Sequence, residues 1–171
     1  MILVYGGDDR VLNNIFMTQN TENQHFGKYG TESYEGYRHT PAEKTIKNST
    51  PAFDVGQTLI MTVRDNIYLN GTKNWSHESN PHMISDFHAE LTIKEEDGHY
   101  WLYSNLGDLP GNLLADRITT AILGRAFESE QSYENRDGSP ISVDSDFTDR
   151  PRGEKAAIGP FESFCNKILL L

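Results

Sequence analysis

The sequence predicts a mostly β protein, and three observations support this prediction. Short runs rich in β-branched and aromatic residues recur along the chain, separated by Gly, Asn and Asp. Aromatic residues make up 11% of the chain against a hydrophobic content of 36%, so they supply much of the apolar mass. Two segments, LNNIFM (12–17) and RDNIYL (64–69), share an Asn-Ile-aromatic pattern. Such an echo is typical of a parallel β-helix, in which asparagines at coil corners hydrogen-bond between coils. The expected fold is therefore parallel β-helix coils followed by a loop-rich tail.

The N-terminal part of the chain is expected to contain short strands around one long polar segment. MILVY (1–5) and RVLNNIFM (10–17) have strand character and flank a Gly-Gly-Asp-Asp corner. Residues 18–52 are polar and contain recurring Gly and Tyr, which is typical of loops. Strand character returns in DVGQTLIMTVRDNIYLNG (54–71), which ends at the turn signal Asn-Gly.

The C-terminal part of the chain predicts a hairpin, a short helix and a loop-rich tail. FHAELTIKEEDGHYWLYSNL (87–106) alternates around the turn signal Asp97-Gly98. LLADRITTAILGRAF (113–127) has a period near 3.6 and a stop at Gly124, although Ile118-Thr119-Thr120 would equally suit a strand. The tail over 133–162 is expected to hold one short strand at Ile141–Val143. FCNKILLL (164–171) is interpreted as a packed terminal strand or as the product of a shifted reading frame.

Charge and cysteine content narrow the class of protein. The formal net charge is -10 and the pI is about 4.9, which disfavours binding to nucleic acid or to an anionic membrane surface. No run approaches the ~20 apolar residues that a membrane-spanning helix needs. Cys165 is the only cysteine, so no intramolecular disulfide is expected. No signal peptide opens the sequence, and a cytoplasmic location is expected.

The sequence does not predict a metal site or a cofactor. His77 and His82 lie near Glu78, but their spacing matches no zinc pattern. DSDFTD (144–149) lacks the glycine and the terminal glutamate of a calcium loop, and a surface loop is the preferred interpretation.

Four carboxylates stand among glycines and aromatic residues rather than among lysines: Asp8, Asp9, Glu32 and Glu35. Either aspartate is a candidate catalytic group, and capping of a turn is the alternative role. If one coil runs from residue 9 to residue 32, their carboxylates lie on strands ~4.8 Å apart. That separation is near the ~5 Å between the two carboxyl groups of a retaining glycosidase.

These segments resemble a known family. YGGDDRVLNNIF (5–16), YGTESYEGY (29–37) and YENRDGSPISVDSDF (133–147) are similar to the C-terminal half of right-handed β-helix glycosidases, especially the β-xylosidases of glycoside hydrolase family 120. The resemblance implies that Asp9 is the nucleophile and Glu32 the acid/base. Asp8 and Glu35 are their nearest substitutes and, with Tyr34 and Tyr37, are the expected sugar contacts.

The resemblance also implies an organisation and a set of partners. The chain is expected to be one domain (1–171), the C-terminal portion of a larger catalytic domain. Coils with the catalytic pair occupy 1–75, and a hairpin and tail occupy 76–171. The expected partner is an oligosaccharide substrate, with homo-oligomerisation possible and no nucleic acid or membrane. The alternatives are a non-catalytic carbohydrate-binding or interaction module and a β-helix polysaccharide lyase, which would need basic residues or calcium.

Arg10 directly follows the expected nucleophile. Because side chains alternate along a strand, Arg10 is expected to lie on the opposite side from Asp9. There we expect it to pair with a carboxylate such as Asp8 and to hold the corner rigid.

Overall fold

A computed structural model describes residues 9–17, 61–75, 78–110, 113–126 and 129–171. Within these ranges the regular structure is mostly β, as the sequence predicts: ten short strands accompany one short α-helix and one 3-10 turn. The predicted strand at residues 1–5 lies outside the described residues, as do residues 18–60.

The first five strands form parallel ladders. Their bounds are β1 Asp9–Leu12, β2 Ile15–Met17, β3 Met61–Arg64, β4 Ile67–Leu69 and β5 His82–Met83. β1 pairs with β3, whereas β2 pairs with β4, and β4 in turn pairs with β5. An isolated parallel bridge between Arg64 and Ser79 extends the first ladder in the same direction. Successive segments of the chain therefore stack in parallel on two sheets that short corners connect.

Each corner between the two sheets contains a residue with left-handed backbone geometry. Asn13, Asp65 and Asn80 have φ angles of 59°, 56° and 54°, a conformation that Asn and Asp adopt more readily than most residues. The echoing segments of the sequence are in register, since Ile15 pairs with Ile67. The two echoing segments of the sequence therefore lie side by side on neighbouring parallel strands.

Buried polar side chains connect the corners from one level to the next. The fully buried Asn66 accepts hydrogen bonds from the backbone N–H of Asn14 at 2.8 Å and from its side-chain amide at 3.0 Å. Asn66 donates to the carbonyl of Val11 at 3.0 Å and to Oε1 of Glu78 at 2.8 Å. The Tyr68 hydroxyl donates to Oε2 of Glu78, and burial together with this carboxylate raises the pKa of Tyr68 well above its ordinary value. This network holds β1 against the next level of the stack.

An antiparallel sheet follows, built on the predicted hairpin. β6 (Leu91–Glu96) pairs with β7 (His99–Ser104). The turn residues Asp97 and Gly98 have φ angles of 52° and 78°, as a type I′ turn requires at both central positions. β10 (Lys167–Leu169) pairs with the other edge of β7. The hairpin and the terminal strand are therefore confirmed.

The predicted helix at 113–127 is confirmed only over α1 (Thr120–Leu123), which ends at Gly124 with a φ angle of 74°. Its first part is instead β8 (Leu114–Asp116), which pairs antiparallel with β9 (Lys155–Ala157). The spacing of apolar residues near 3.6 arises here from a short strand followed by a short helix. The strand forms because pairing with a distant strand outweighs the local preference for helix.

The tail forms its strand in a different place from the one predicted. Ile141–Val143 contributes a single bridge, between Ser142 and Thr119, whereas the tail strand is β9. Sequence pattern does not reveal β9, because its alanines gain their strand conformation from pairing with β8 rather than from intrinsic preference.

The main hydrophobic core joins the parallel strands to the tail. Its buried members are Ile67, Leu69, Ala89, Leu106, Ala115 and Ile158. The amide of Asn13 donates to the carbonyl of Asp116 at 2.9 Å, and the N–H of Gly159 donates to the carbonyl of Asn13 at 3.0 Å. Gly159 has a φ angle of 108°, which residues with a side chain rarely adopt, and a Cβ there would lie 2.7 Å from Cδ1 of Ile15. These contacts fix the tail beside β1 and β2.

Candidate active site

Asp9 is the first residue of β1, and it is exposed to solvent. Its backbone is paired in the parallel ladder, where its partner is Met61. An exposed carboxylate on a hydrogen-bonded strand combines access to substrate with a fixed backbone, and a nucleophile requires both.

The strand register corrects one step in the prediction of the catalytic pair. The sequence prediction places Glu32 one coil after Asp9, on the neighbouring strand. In the structure the neighbouring strand places Met61 beside Asp9, and the ladder offset is 52 residues, as the Asn14–Asn66 pair shows. This offset is larger than the expected step from residue 9 to residue 32, because residues 18–60 all lie between β2 and β3 in the chain. The spacing between neighbouring strands therefore does not set the distance from Asp9 to Glu32.

The remaining predicted site residues lie outside the described residues: Asp8, Glu32, Tyr34, Glu35 and Tyr37. Their roles and their distances from Asp9 stay predictions. In the chain, Glu32 lies between the end of β2 at Met17 and the start of β3 at Met61, which pairs with Asp9.

Arg10 is bound by the C-terminal part of the chain. Its Nε donates to the carbonyl of Leu123 at 2.6 Å, and its Nη2 donates to the carbonyl of Arg125 at 2.8 Å. Its Nη1 donates to the Tyr133 hydroxyl at 2.7 Å, and the guanidinium carbon lies 4.5 Å from the centre of the Tyr133 ring. Two backbone carbonyls and a tyrosine thus form a socket for this arginine. The expected contact with Asp8 lies outside the described residues.

Sequence reasoning missed this socket, which consists of the carbonyls of Leu123 and Arg125 and the side chain of Tyr133. The bonds to Arg10 join residues 113, 115 and 123 positions apart. Backbone carbonyls carry no residue-specific signal, so no feature of the sequence pointed to them. The only available cue was the position of Arg10 next to the expected nucleophile.

Two open cavities occur elsewhere in the described part of the chain, with volumes of about 420 and 430 Å³. One of them is lined by Leu12 and Asn13 at the other end of β1, together with Arg117, Phe147 and Arg152. At ~3.3 Å per strand residue this cavity begins about 10 Å from Asp9. Asp9 lines neither of them.

The aspartate-rich segment 144–149 is a turn held by one carboxylate. Among the described residues, no group of three or more His, Cys, Asp or Glu side chains is arranged to hold a metal ion. The buried Asp146 accepts hydrogen bonds from the N–H groups of Thr148, Arg150 and Glu162 at 2.7, 3.0 and 2.7 Å. These hydrogen bonds hold the Asp146 carboxylate inside the turn.

The stability of this turn depends on pH. Burial opposes ionisation of Asp146, but the hydrogen bonds outweigh it and lower its pKa to about 2. Because the folded pKa is below the unfolded value of about 3.9, this stabilisation is present above about pH 4. It is lost as the pH falls from about 4 to 2.

We expect Asp146→Asn to lower the free energy of unfolding at neutral pH by about 2 kcal/mol, because an amide nitrogen would then face the N–H of Glu162. The variant should also lose the contribution of Asp146 to the pH dependence of unfolding between about pH 4 and 2, measured by urea titration. Asp144→Asn, at an exposed position of the same segment, is the matched control and should change stability by less than about 0.5 kcal/mol. An unchanged acid response in Asp146→Asn would contradict this account.

Comparisons with known proteins reveal a similar fold in a solved structure. Neither a protein-family model nor a curated protein matches the sequence. A solved structure of XylC in complex with xylose matches with a TM-score of 0.69 and 27% sequence identity over 98% of this chain. The chain spans 27% of the length of XylC. As for the membrane, the described residues contain no helix with the length and apolar character needed to cross it. The chain is therefore mostly β and similar in fold to about a quarter of a xylose-binding protein.

Proposed function

We propose that this chain carries the catalytic carboxylates of a retaining β-glycosidase, a β-xylosidase that releases xylose from xylo-oligosaccharides. The observation that carries the proposal is the similarity to XylC, which extends over 98% of the chain and concerns a protein solved with xylose. The resemblance of three segments of the sequence to the β-xylosidases of glycoside hydrolase family 120 suggests the same substrate. Xylo-oligosaccharides carry no charge, so their binding does not need a basic surface. The net charge of -10 is therefore compatible with this substrate.

The proposed architecture is the C-terminal section of a right-handed parallel β-helix. Its support is the stacking of β1 on β3 and of β2 on β4 and β5, with left-handed corners and a buried asparagine contact. Residues 1–75 would form the coils with the catalytic pair, and residues 76–171 the hairpin and tail that pack against them. Since the chain spans 27% of XylC, we propose that it works within a longer polypeptide, in which other coils complete the cleft.

The proposed mechanism has two steps. Asp9 attacks the anomeric carbon while Glu32 protonates the departing glycosidic oxygen, so that the carbon–oxygen bond breaks and a glycosyl ester forms. Glu32 then takes a proton from water, which displaces Asp9 and releases xylose with retained configuration. Asp8, Tyr34, Glu35 and Tyr37 are the proposed sugar contacts. The two carboxylates supply both covalent and acid–base catalysis, and the proposal includes no cofactor.

Retention requires the carboxyl groups of Asp9 and Glu32 to lie ~5 Å apart. Because the strand beside Asp9 presents Met61, Glu32 must reach Asp9 from the segment that joins β2 to β3. That segment is followed by β3, whose first residue, Met61, is the ladder partner of Asp9.

We also propose that the protein acts in the cytoplasm and that it can associate with further copies of itself. Cys165 is exposed and free, and a reducing cytoplasm would keep it as a thiol. A polysaccharide lyase is less favoured, because uronate substrates require basic groups or calcium and the chain is acidic.

Hydrolysis of xylobiose and of aryl β-xylosides tests the function. The assay uses the longest natural polypeptide that carries residues 1–171, with the 171-residue chain alone in parallel. We expect xylose release by the long polypeptide, and β-glucosides cleaved at least about tenfold more slowly, because a pocket fitted to xylose has no room for the extra hydroxymethyl group. Binding of xylo-oligosaccharides without hydrolysis would instead establish the carbohydrate-binding module.

A further inference from the structure

We propose that Arg10 is a positioning residue for Asp9. Its guanidinium anchors the start of β1 to the C-terminal part of the chain, and this anchor sets the orientation in which the Asp9 carboxylate meets the sugar. The inference rests on the proposed function, in which Asp9 is the nucleophile.

The geometry of the Arg10 side chain supports an anchoring role. Three different nitrogens of the guanidinium donate to Leu123, Arg125 and Tyr133 at 2.6, 2.8 and 2.7 Å. The ring of Tyr133 also lies 4.5 Å from the guanidinium carbon. A planar fork with donors at fixed angles cannot satisfy these acceptors in more than one orientation. The side chain, and the backbone from which it extends, are therefore held in one arrangement.

The socket is itself tied together. The carbonyls of Leu123 and Arg125 lie at and just beyond the end of α1, where helix carbonyls lack partners within the helix. The hydroxyl of Thr120, at the start of α1, donates to the carbonyl of Tyr133 at 2.7 Å and accepts from the N–H of Ile141 at 2.7 Å. Arg10 thus binds a cross-linked unit rather than a single loop.

The anchor acts on Asp9 through the backbone. Consecutive Cα atoms are 3.8 Å apart, so fixing Arg10 fixes the adjacent residue. The ladder to Met61 restrains Asp9 on one side, and the socket restrains it through Arg10. Misplacing a reacting group by ~1 Å costs about a hundredfold in rate. Because side chains alternate along β1, Arg10 lies away from the sugar and should influence the rate constant rather than substrate affinity.

The test compares Arg10→Lys, Arg10→Met and Tyr133→Phe in the active polypeptide, with kcat, KM and melting temperature measured for each. We expect kcat to fall about tenfold in Arg10→Lys and about a hundredfold in Arg10→Met, with KM within about threefold of the parent. Tyr133→Phe keeps the ring and loses one hydrogen bond, so its kcat should fall only a few-fold. Arg64→Met is the matched control. Arg64 lies in the neighbouring strand and donates to the adjacent Asp65, so its kcat should stay within about twofold.

The rate of the first chemical step gives a readout that a purely structural role would not move. Single-turnover formation of the glycosyl-enzyme should slow in Arg10→Lys even where its melting temperature equals that of the parent. Parent-like kcat in a folded Arg10→Lys would overturn the inference, and a raised KM at unchanged kcat would reassign Arg10 to sugar binding. If the parent itself does not hydrolyse xylosides, the proposed function fails. If the parent is active and the Arg10 variants are as active as the parent, only the inference about Arg10 fails.

Discussion

Replacement of Asp9 by asparagine is expected to lower kcat/KM for β-xylosides by at least about 10⁴-fold. The neutral amide has the shape of the carboxylate but cannot attack the anomeric carbon. Since Asp9 is exposed at the start of β1, the change should leave the melting temperature almost unaltered. Initial rates on xylobiose and on an activated aryl β-xyloside measure the effect. Asp97→Asn is the matched control, because Asn-Gly suits the type I′ turn as well as Asp-Gly does.

The second carboxylate should behave differently. Glu32→Ala is expected to cripple hydrolysis of xylobiose yet largely spare a substrate whose leaving group needs no proton. Azide should restore turnover and give a product of retained configuration, because the small anion replaces the activated water. Equal losses on both substrates, with no azide effect, would exclude Glu32 as the acid/base.

Asn66→Asp is expected to lower the free energy of unfolding by about 4 kcal/mol. A carboxylate at this fully buried position would face the carbonyl of Val11 and the carboxylate of Glu78, to which Asn66 now donates. Asn80→Asp makes the same chemical change at an exposed position, where the amide donates to Asp65 at 2.7 Å. That control should cost less than about 1 kcal/mol.

Urea unfolding at neutral pH measures both variants. If Asn66→Asp and Asn80→Asp are equally destabilised, burial of the Asn66 amide does not determine its contribution to the free energy of unfolding. A loss in Asn66→Asp that disappears at low pH would still support the account, because protonation of the new carboxyl removes the repulsion.

Local patterns predicted the parts of the fold that local chemistry determines. The hairpin turn at Asp97-Gly98 needs two positive φ angles, and an Asp-Gly pair adopts such angles readily. The echo of the two Asn-Ile-aromatic segments has the same physical basis, since stacked levels place like residues side by side.

The remaining features depend on pairing between distant segments. β8 and β9 are strands because they pair with each other, with Ala115 opposite Ala156, and alanine has no strand preference that a sequence pattern could show. The 52-residue offset between β1 and β3 depends on how many residues lie between β2 and β3, and sequence spacing alone does not show that Met61 pairs with Asp9. The socket around Arg10 consists largely of backbone carbonyls, which every sequence possesses.

Covalent trapping can identify the catalytic nucleophile directly. The active polypeptide is incubated with a 2-deoxy-2-fluoro-β-xyloside that has an activated leaving group. The fluorine slows both chemical steps, whereas the leaving group speeds the first one, so the glycosyl-enzyme accumulates. Intact mass, followed by sequencing of the labelled peptide, identifies the nucleophile. The account predicts one fluoroxylosyl group per chain, attached to Asp9, and no labelling in Asp9→Asn. A label on any other residue, or an unlabelled active enzyme whose first-formed xylose has inverted configuration, would contradict it.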